Sequence, residues 1–159
     1  TWTERKGLGD FLYLANKLPD DAVILLAGMM KKNVRIPHNV ISLGPVNKIE
    51  TLSMLYSVAD VFVNPSRQET FGLTTAEAMA CGTPAIVYNT SACPEVVGND
   101  YRCGSIVPSF DKDALLEAIK FRLSHDKQSE VTREMVVKRF DKEKQLEKYI
   151  HLYGNCFDR

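Results

Sequence analysis

Five short apolar runs recur along the first two thirds of the chain. Each run is continuous and rich in β-branched residues, as expected for parallel strands buried on both faces. The predicted strands are 22–28 (AVILLAG), 39–44 (NVISLG), 60–65 (DVFVNP), 84–88 (PAIVY) and a weaker 104–108 (GSIVP). The segments between them have helical spacing and predict helices at 7–18, 48–59, 74–82 and 92–98. This alternation predicts an α/β domain, a parallel sheet with helices on both faces.

The pattern changes after Pro108. Residues 111–125 have the spacing of an amphipathic helix, and a charged helical pattern continues over 128–153. We therefore predict a Rossmann-like domain over 1–108 and C-terminal helices packed on it over 109–159. The sequence begins at Thr1 without a methionine, and we expect it to be a piece of a longer protein.

The composition excludes several classes of partner. Twenty Lys and Arg balance twenty Asp and Glu, so no excess of positive charge points to nucleic acid or to an anionic membrane. No apolar run is long enough to span a bilayer. The four cysteines have no zinc spacing and are interpreted as free thiols of a cytoplasmic protein.

A polar loop between two predicted strands is the first candidate for chemistry. SRQETFGLTT (66–75) follows strand 60–65 and enters a helix near Thr74. The first N–H groups of a helix have no intrahelical partner, and that end carries partial positive charge. Gly72 lets the backbone approach a ligand closely. Because ligands bind beyond the carboxyl ends of parallel strands, we predict a phosphate or diphosphate site here.

Two carboxylates flank this predicted anion site. Glu77, one turn inside the helix, can accept hydrogen bonds from the vicinal hydroxyls of a ribose. Glu69, in the loop, can accept from sugar hydroxyls on the other side of a diphosphate. The local pattern equally fits a capping box, in which Glu77 bonds back to the Thr74 amide. Glu69 taken alone also fits a solvated loop residue.

Four motifs occur in an order that resembles retaining glycosyltransferases of the GT-B fold, the glycosyl transferases group 1. ETFGLTTAE (69–77) is similar to their E-x7-E signature, and AMACGTPAIVYNTSACPEVV (78–97) is similar to their AxAxGxPVIxxxxGGxPEVV pattern. LYSVADVFVNPS (55–66) resembles xYxxADVFVxPS, and ERKG (4–7) resembles their lysine-glycine motif. The resemblance covers residues 2–108.

The resemblance implies a role for individual residues. Lys6 matches the lysine that contacts the donor diphosphate, and Glu69 matches the first glutamate, a catalytic residue near the donor sugar. Phe71–Leu73 match the loop whose amides approach phosphate and sugar. Glu77 matches the glutamate on the ribose, and Val46 falls where the class contacts the base.

The resemblance also implies an activity. The chain is expected to be the donor-binding half of a hexosyltransferase that transfers sugar with retention from a UDP- or GDP-sugar to a glycan or lipid, in cell-surface polysaccharide synthesis. It implies no metal or cofactor, a missing N-terminal acceptor domain, and an isolated domain that is inactive alone. A peripheral position at the inner membrane face would come through the parent protein. The alternative is a non-transferring nucleotide-sugar binder or an epimerase relative.

The chain departs from the family pattern in three places. TSAC (90–93) replaces the usual paired glycines, and the family's upstream arginine would fall before Thr1. Arg5 is more simply interpreted as a solvated neighbour of Lys6. The first strand of the family's sheet would also precede Thr1, in a central position between strands 22–28 and 60–65. We expect either a strand from preceding residues or a gap in the sheet.

Other classes fit less well. DKD (111–113) matches the D-x-D motif of metal-dependent glycosyltransferases, but it opens a predicted helix, where acidic residues cap the N-terminus. A dehydrogenase domain requires G-x-G-x-x-G after a strand, and the chain has none. A receiver domain requires an aspartate at the end of a central strand, where this chain has Asn64 and Pro65.

Overall fold

The computed structural model describes residues 1–31 and 33–157, with side chains as far as residue 154. In this part of the chain the strands are β1 Ile24–Ala27, β2 Val40–Gly44, β3 Phe62–Asn64, β4 Ala85–Tyr88 and β5 Gly104–Val107. After a 3-10 turn at Glu4–Lys6, the helices are α1 Leu8–Ala15, α2 Ile49–Val58, α3 Leu73–Ala80, α4 Cys93–Val97, α5 Lys112–Leu123, α6 Ser129–Phe140 and α7 Lys142–Phe157. Every predicted strand and helix is confirmed, most with shorter ends.

The strands pair in parallel, which confirms the predicted α/β class. Strand β4 lies between β3 and β5, with Phe62 opposite Ala85 and Val87 opposite Ile106. All four residues of β4 are fully buried. Ile86 and Tyr88 face a core formed with α1 and α5, whereas Ala85 and Val87 face a second core formed with α3, α4 and α6. Two-sided burial explains why the β4 sequence is continuously apolar.

Strands β1 and β2 form a separate two-stranded sheet. Within the described residues no strand lies between β1 and β3, which leaves a gap between the two sheets. A cavity of about 940 Å³ occupies this gap and is lined by both strands. The expectation that strands 22–28 and 39–44 are buried on both faces is wrong for one face of this small sheet, where Leu25, Ile41 and Leu43 are 41%, 47% and 39% exposed. A strand preceding Thr1 stays a prediction.

The C-terminal helices differ in how they pack. Helix α5 buries Leu115, Leu116 and Ile119 against the β4 face, and α6 buries Val136 in the second core. Helix α7 instead exposes its large apolar side chains, namely Leu146, Tyr149, Ile150, Leu152 and Tyr153. The expectation of tail helices packed on the sheet domain therefore holds for α5 and α6, but α7 does not bury its apolar face. The division at residue 108 stays a prediction.

Asp111, the first of the two acidic residues at 111 and 113, caps the N-terminus of α5. The Asp111 carboxylate accepts hydrogen bonds from the backbone N–H groups of Asp113 and Ala114 at 3.0 and 2.9 Å. The Asp113 carboxylate accepts from the Tyr13 hydroxyl. Both carboxylates thus have structural partners, which supports the interpretation of 111–113 as a cap rather than a metal-binding motif.

No helix in the described part of the chain is long and apolar enough to cross a bilayer.

Candidate functional site

The candidate site lies beyond the carboxyl ends of β3 and β4, where the 3-10 turn before α1 meets the loop after β3. There the Lys6 ammonium lies 2.5 Å from the Glu69 carboxylate, although the two residues are 63 positions apart in the chain. Lys6 is 37% exposed and Glu69 is 16% exposed, so the pair lies at the surface of a cleft. The fold thus brings the predicted diphosphate lysine and the predicted catalytic glutamate together.

A close backbone approach places Lys6. Gly7 ends the 3-10 turn at φ +74°, a left-handed conformation, and an added Cβ would lie 2.5 Å from Pro65 Cγ. The Arg67 N–H donates to the Arg5 carbonyl at 2.8 Å, which fixes the turn on the loop after β3. The Arg5 side chain is exposed. Only glycine permits this approach, and the result is that Lys6 projects beside the exit of β3.

The N-terminus of α3 forms the floor of the site. Gly72 is the N-cap at φ +91°, and its carbonyl accepts from the N–H groups of Thr75 and Ala76. The amides of Leu73 and Thr74 precede these first intrahelical bonds, so they are the donors that a helix start offers to an anion. The helix start is therefore available to an anion, and the diphosphate site itself stays a prediction.

The capping-box interpretation of Glu77 is wrong. The N-cap of α3 is Gly72, so Thr74 lies inside the helix and its side chain makes no cap. The Glu77 carboxylate instead accepts a hydrogen bond from the Tyr56 hydroxyl of α2 at 3.2 Å. Sequence reasoning assigned Tyr56 no role of its own. The available signal was its place at the tyrosine of the motif that LYSVADVFVNPS (55–66) resembles.

Tyr56 is held as a neutral hydrogen-bond donor. Its side chain is buried, and its ring packs edge to face on Phe62 at 5.5 Å between centroids. Burial, followed by the charge of Glu77, raises the pKa of the Tyr56 phenol. The phenol therefore keeps its proton at neutral pH and donates it toward Glu77.

Asn64 ties three elements together beneath the site. From the end of β3 its Nδ2 donates to Thr75 Oγ1 at 3.0 Å on α3 and lies 3.7 Å from Cys93 Sγ on α4. Its Oδ1 accepts from the Ser66 N–H at 3.2 Å. All of these side chains are buried. Burial, followed by the charge of Glu69, raises the pKa of the Cys93 thiol to about 11, so this cysteine is a protonated packing residue at neutral pH.

Ser91 takes a conformation that suits glycine. It lies at φ +48° in the loop after β4, at a position where the family motif has one of its paired glycines. Its Oγ accepts from the Glu69 N–H at 3.0 Å. Ser91 therefore has a left-handed backbone where the motif has glycine, and its hydroxyl adds a bond to the loop that carries Glu69. The departure from the family motif was the sequence signal for this residue.

The remaining predicted residues lie at the margins of the site. Phe71 is 40% exposed, and its ring packs edge to face on Phe140 at the end of α6. Leu73, the first residue of α3, is also exposed. Val46 lies in the loop between β2 and α2, and its contact with a base stays a prediction.

Comparison with known proteins identifies the family. The family model for glycosyl transferases group 1 matches residues 2–139. N-acetyl-alpha-D-glucosaminyl L-malate synthase of Bacillus anthracis is 30% identical over 145 residues, which are 84% of this chain and 37% of that protein. O-antigen chain mannosyltransferase B of Escherichia coli is 40% identical over 82 residues, which are 52% of this chain and 21% of that protein.

Solved structures show the same fold. Sucrose-phosphate synthase from Thermosynechococcus elongatus superposes with a TM-score of 0.85 at 28% identity, covering 98% of this chain and 43% of that one. The Anabaena protein Alr3699/HepE, solved with UDP and glucose, superposes at 0.83 with 16% identity, covering 97% of this chain and 46% of that one. The chain thus spans less than half the length of these relatives. It belongs to the glycosyl transferases group 1 family and has the fold of the C-terminal domain of a GT-B glycosyltransferase.

Proposed function

We propose that this chain is the donor-binding domain of a retaining glycosyltransferase, and that it binds a nucleoside-diphosphate sugar. One observation carries the proposal: the Lys6–Glu69 pair, at 2.5 Å, lies in the same cleft as the N-terminus of α3. A cation and a helix start suit a diphosphate, and carboxylates beside them suit the hydroxyl groups of sugars.

The proposed arrangement follows the chain of the ligand. The diphosphate would lie between Lys6 and the first amides of α3, with the ribose toward Glu77 and the transferred sugar toward Glu69. Val46 would contact the base. As the bond from sugar to diphosphate breaks through an oxocarbenium-like transition state, negative charge grows on the departing nucleoside diphosphate. Fixed positive charge at Lys6 and at the helix start would stabilise it without a metal ion or cofactor.

The relatives support the proposal for the ligand and for the parent protein. The HepE protein has been solved with UDP-glucose as well as with UDP, and it shares the fold of this chain. The mannosyltransferase of the O-antigen chain supports a role of the parent protein in cell-surface polysaccharide synthesis. Acceptor recognition would belong to residues outside this chain, in the remaining half of a GT-B protein.

We expect UDP or GDP to raise the melting temperature of the chain, because a ligand that binds only the folded state stabilises it. At a hundred times its dissociation constant the ligand adds about 2.7 kcal/mol, roughly 5–10 °C for a domain of this size. The measurement is a thermal-shift titration with UDP, GDP and their hexose derivatives, repeated in EDTA. Because Lys6 and α3 supply the positive charge, EDTA should leave the shift unchanged.

The Glu77→Gln variant provides the matched test of the ribose contact. It should weaken nucleoside diphosphate binding about tenfold, the cost of roughly one hydrogen bond to a charged group. Its melting temperature without ligand should stay close to that of the unmutated chain, since glutamine retains an oxygen that accepts a hydrogen bond from Tyr56. Glu147→Gln, on the exposed α7, is the control and should bind as the parent does. No shift with any nucleotide would contradict the proposed function, and a shift abolished by EDTA would contradict its metal independence.

A further inference from the structure

We infer that Tyr56 is a positioning residue that holds the Glu77 carboxylate in the orientation required to receive a ribose diol; this rests on the proposed function. The inference starts from the hydrogen bond between the Tyr56 hydroxyl and Glu77 Oε2, 3.2 Å long and joining α2 to α3. Tyr56 would touch no part of the nucleotide itself, so its effect on binding would pass entirely through Glu77.

Several contacts hold Tyr56 and the end of α2 in a defined position. Its backbone carbonyl accepts a hydrogen bond from the fully buried hydroxyl of Thr83, just before β4. Lys127 binds the same helix end, donating to the carbonyls of Ser57 and Ala59 at 2.5 and 3.1 Å. The Tyr56 ring is held edge to face on Phe62 of β3. The end of α2 is thus attached to the β3–β4 sheet, and the hydroxyl has a defined position.

The Glu77 carboxylate has rotational freedom that a fixed hydrogen-bond donor would restrict. Its side chain is half-buried on α3, between the fully buried Ala78 and the buried Ala76. A glutamate has three side-chain torsions, and the last one, which turns the carboxylate plane, is broad. To accept hydrogen bonds from both hydroxyls of a vicinal diol, the two carboxylate oxygens must lie in one suitably oriented plane. A hydroxyl that binds Oε2 from a fixed side fixes that plane and leaves Oε1 directed elsewhere.

The protonation of Tyr56 is suited to this role. A phenol that ionised near neutral pH would repel the carboxylate, whereas burial raises the pKa of Tyr56 above its ordinary value. The hydroxyl therefore remains a donor to Glu77 over the whole physiological range. Because a carboxylate oxygen has two lone pairs, the bond from Tyr56 leaves Oε2 able to accept a second donor.

Tyr56→Phe removes the hydroxyl and keeps the ring that packs on Phe62, so it tests the inference with little other disturbance. The probes are the better binder of UDP and GDP, its 2′,3′-dideoxy analogue, and inorganic pyrophosphate. We expect the variant to bind the nucleoside diphosphate 3–10-fold more weakly, a typical effect of one hydrogen bond. Pyrophosphate, which has no ribose, should bind unchanged. The preference of the parent for the diol over its dideoxy analogue should shrink by the same factor.

Tyr101→Phe, which removes an exposed hydroxyl, is the matched control and should behave as the parent in all three assays. Equal binding of the nucleoside diphosphate by Tyr56→Phe and the parent would overturn the inference while leaving the proposed function intact. An equal loss for pyrophosphate and nucleotide would also overturn it, because it would show a general structural role. A parent chain that binds none of the nucleotides would overturn the proposed function, and this inference with it.

Discussion

Replacing Lys6 with methionine is expected to weaken binding of UDP or GDP about 10–100-fold. Methionine keeps most of the length of the lysine side chain but removes the ammonium group that the structure places beside Glu69. Hydrogen bonds to charged groups contribute about 1.5–3 kcal/mol, and each 1.4 kcal/mol is a factor of ten in affinity. Isothermal titration with the parent and the variant measures the loss directly.

The stability of the Lys6→Met variant should change little. The Lys6–Glu69 pair is partly exposed, and ion pairs of this kind contribute at most about 1 kcal/mol to folding. Lys17→Met is the matched control, because Lys17 is exposed at the end of α1 and should affect neither binding nor stability. Unchanged affinity in Lys6→Met would show that the diphosphate binds elsewhere. A large fall in melting temperature would instead identify Lys6 as mainly structural.

The second large effect is expected at Gly7. Alanine there would place a Cβ 2.5 Å from Pro65 Cγ and 2.6 Å from the Pro65 carbonyl oxygen, at φ +74°. Left-handed backbone costs a non-glycine residue about 1–2 kcal/mol, and a contact this short adds to that cost because backbone must move. We expect Gly7→Ala to lose about 2–4 kcal/mol of unfolding free energy, measured by urea denaturation, together with nucleotide affinity as Lys6 shifts.

Gly44→Ala separates the cost of the left-handed backbone from the cost of the short contact with Pro65. Gly44 also has a positive φ, +67°, but an added Cβ there meets no atom within 4 Å among the described residues. It should therefore lose only the strain of about 1–2 kcal/mol. If both variants lose the same free energy, the contact between the 3-10 turn and Pro65 contributes nothing to folding. If Gly7→Ala is destabilised but binds nucleotide normally, the turn does not position Lys6.

Much of the fold follows from local sequence pattern. The strand predicted at 84–88 and the helix predicted at 111–125 are both correct. The strand is buried on both faces and is continuously apolar, whereas the helix is buried on one face and is amphipathic. The helix predicted at 74–82 begins in the structure at Leu73, since Gly72 provides the cap. The continuous run at 22–28 predicted a strand correctly, but Leu25 is exposed. An apolar run predicts a strand, but the exposure of each side chain depends on which elements pack beside that strand.

The site was predictable only in part. The helix start at α3, capped by a glycine after a strand, followed from the local sequence. The proximity of Lys6 to the E-x7-E segment came from the resemblance, because no periodicity links residues 63 positions apart. The Tyr56–Glu77 bond joins two helices across 21 positions, and nothing in either helix alone marks its partner. Local rules equally allowed a capping box, and tertiary packing decided against it.

The gap between β1 and β3 separates the two ends of the proposed nucleotide site. On one side of it lies the β2 loop with Val46, where the base is predicted to bind, and on the other lies Glu69 beside the diphosphate position. Covalent bonds fix the distance from base to diphosphate in a nucleotide. Among the described residues no ladder of backbone hydrogen bonds joins the two sheets, so side-chain packing sets their spacing, as where Leu26 of β1 shares a core with Ile86 of β4. The packing of this shared core would therefore determine how well the proposed site matches the length of a nucleotide.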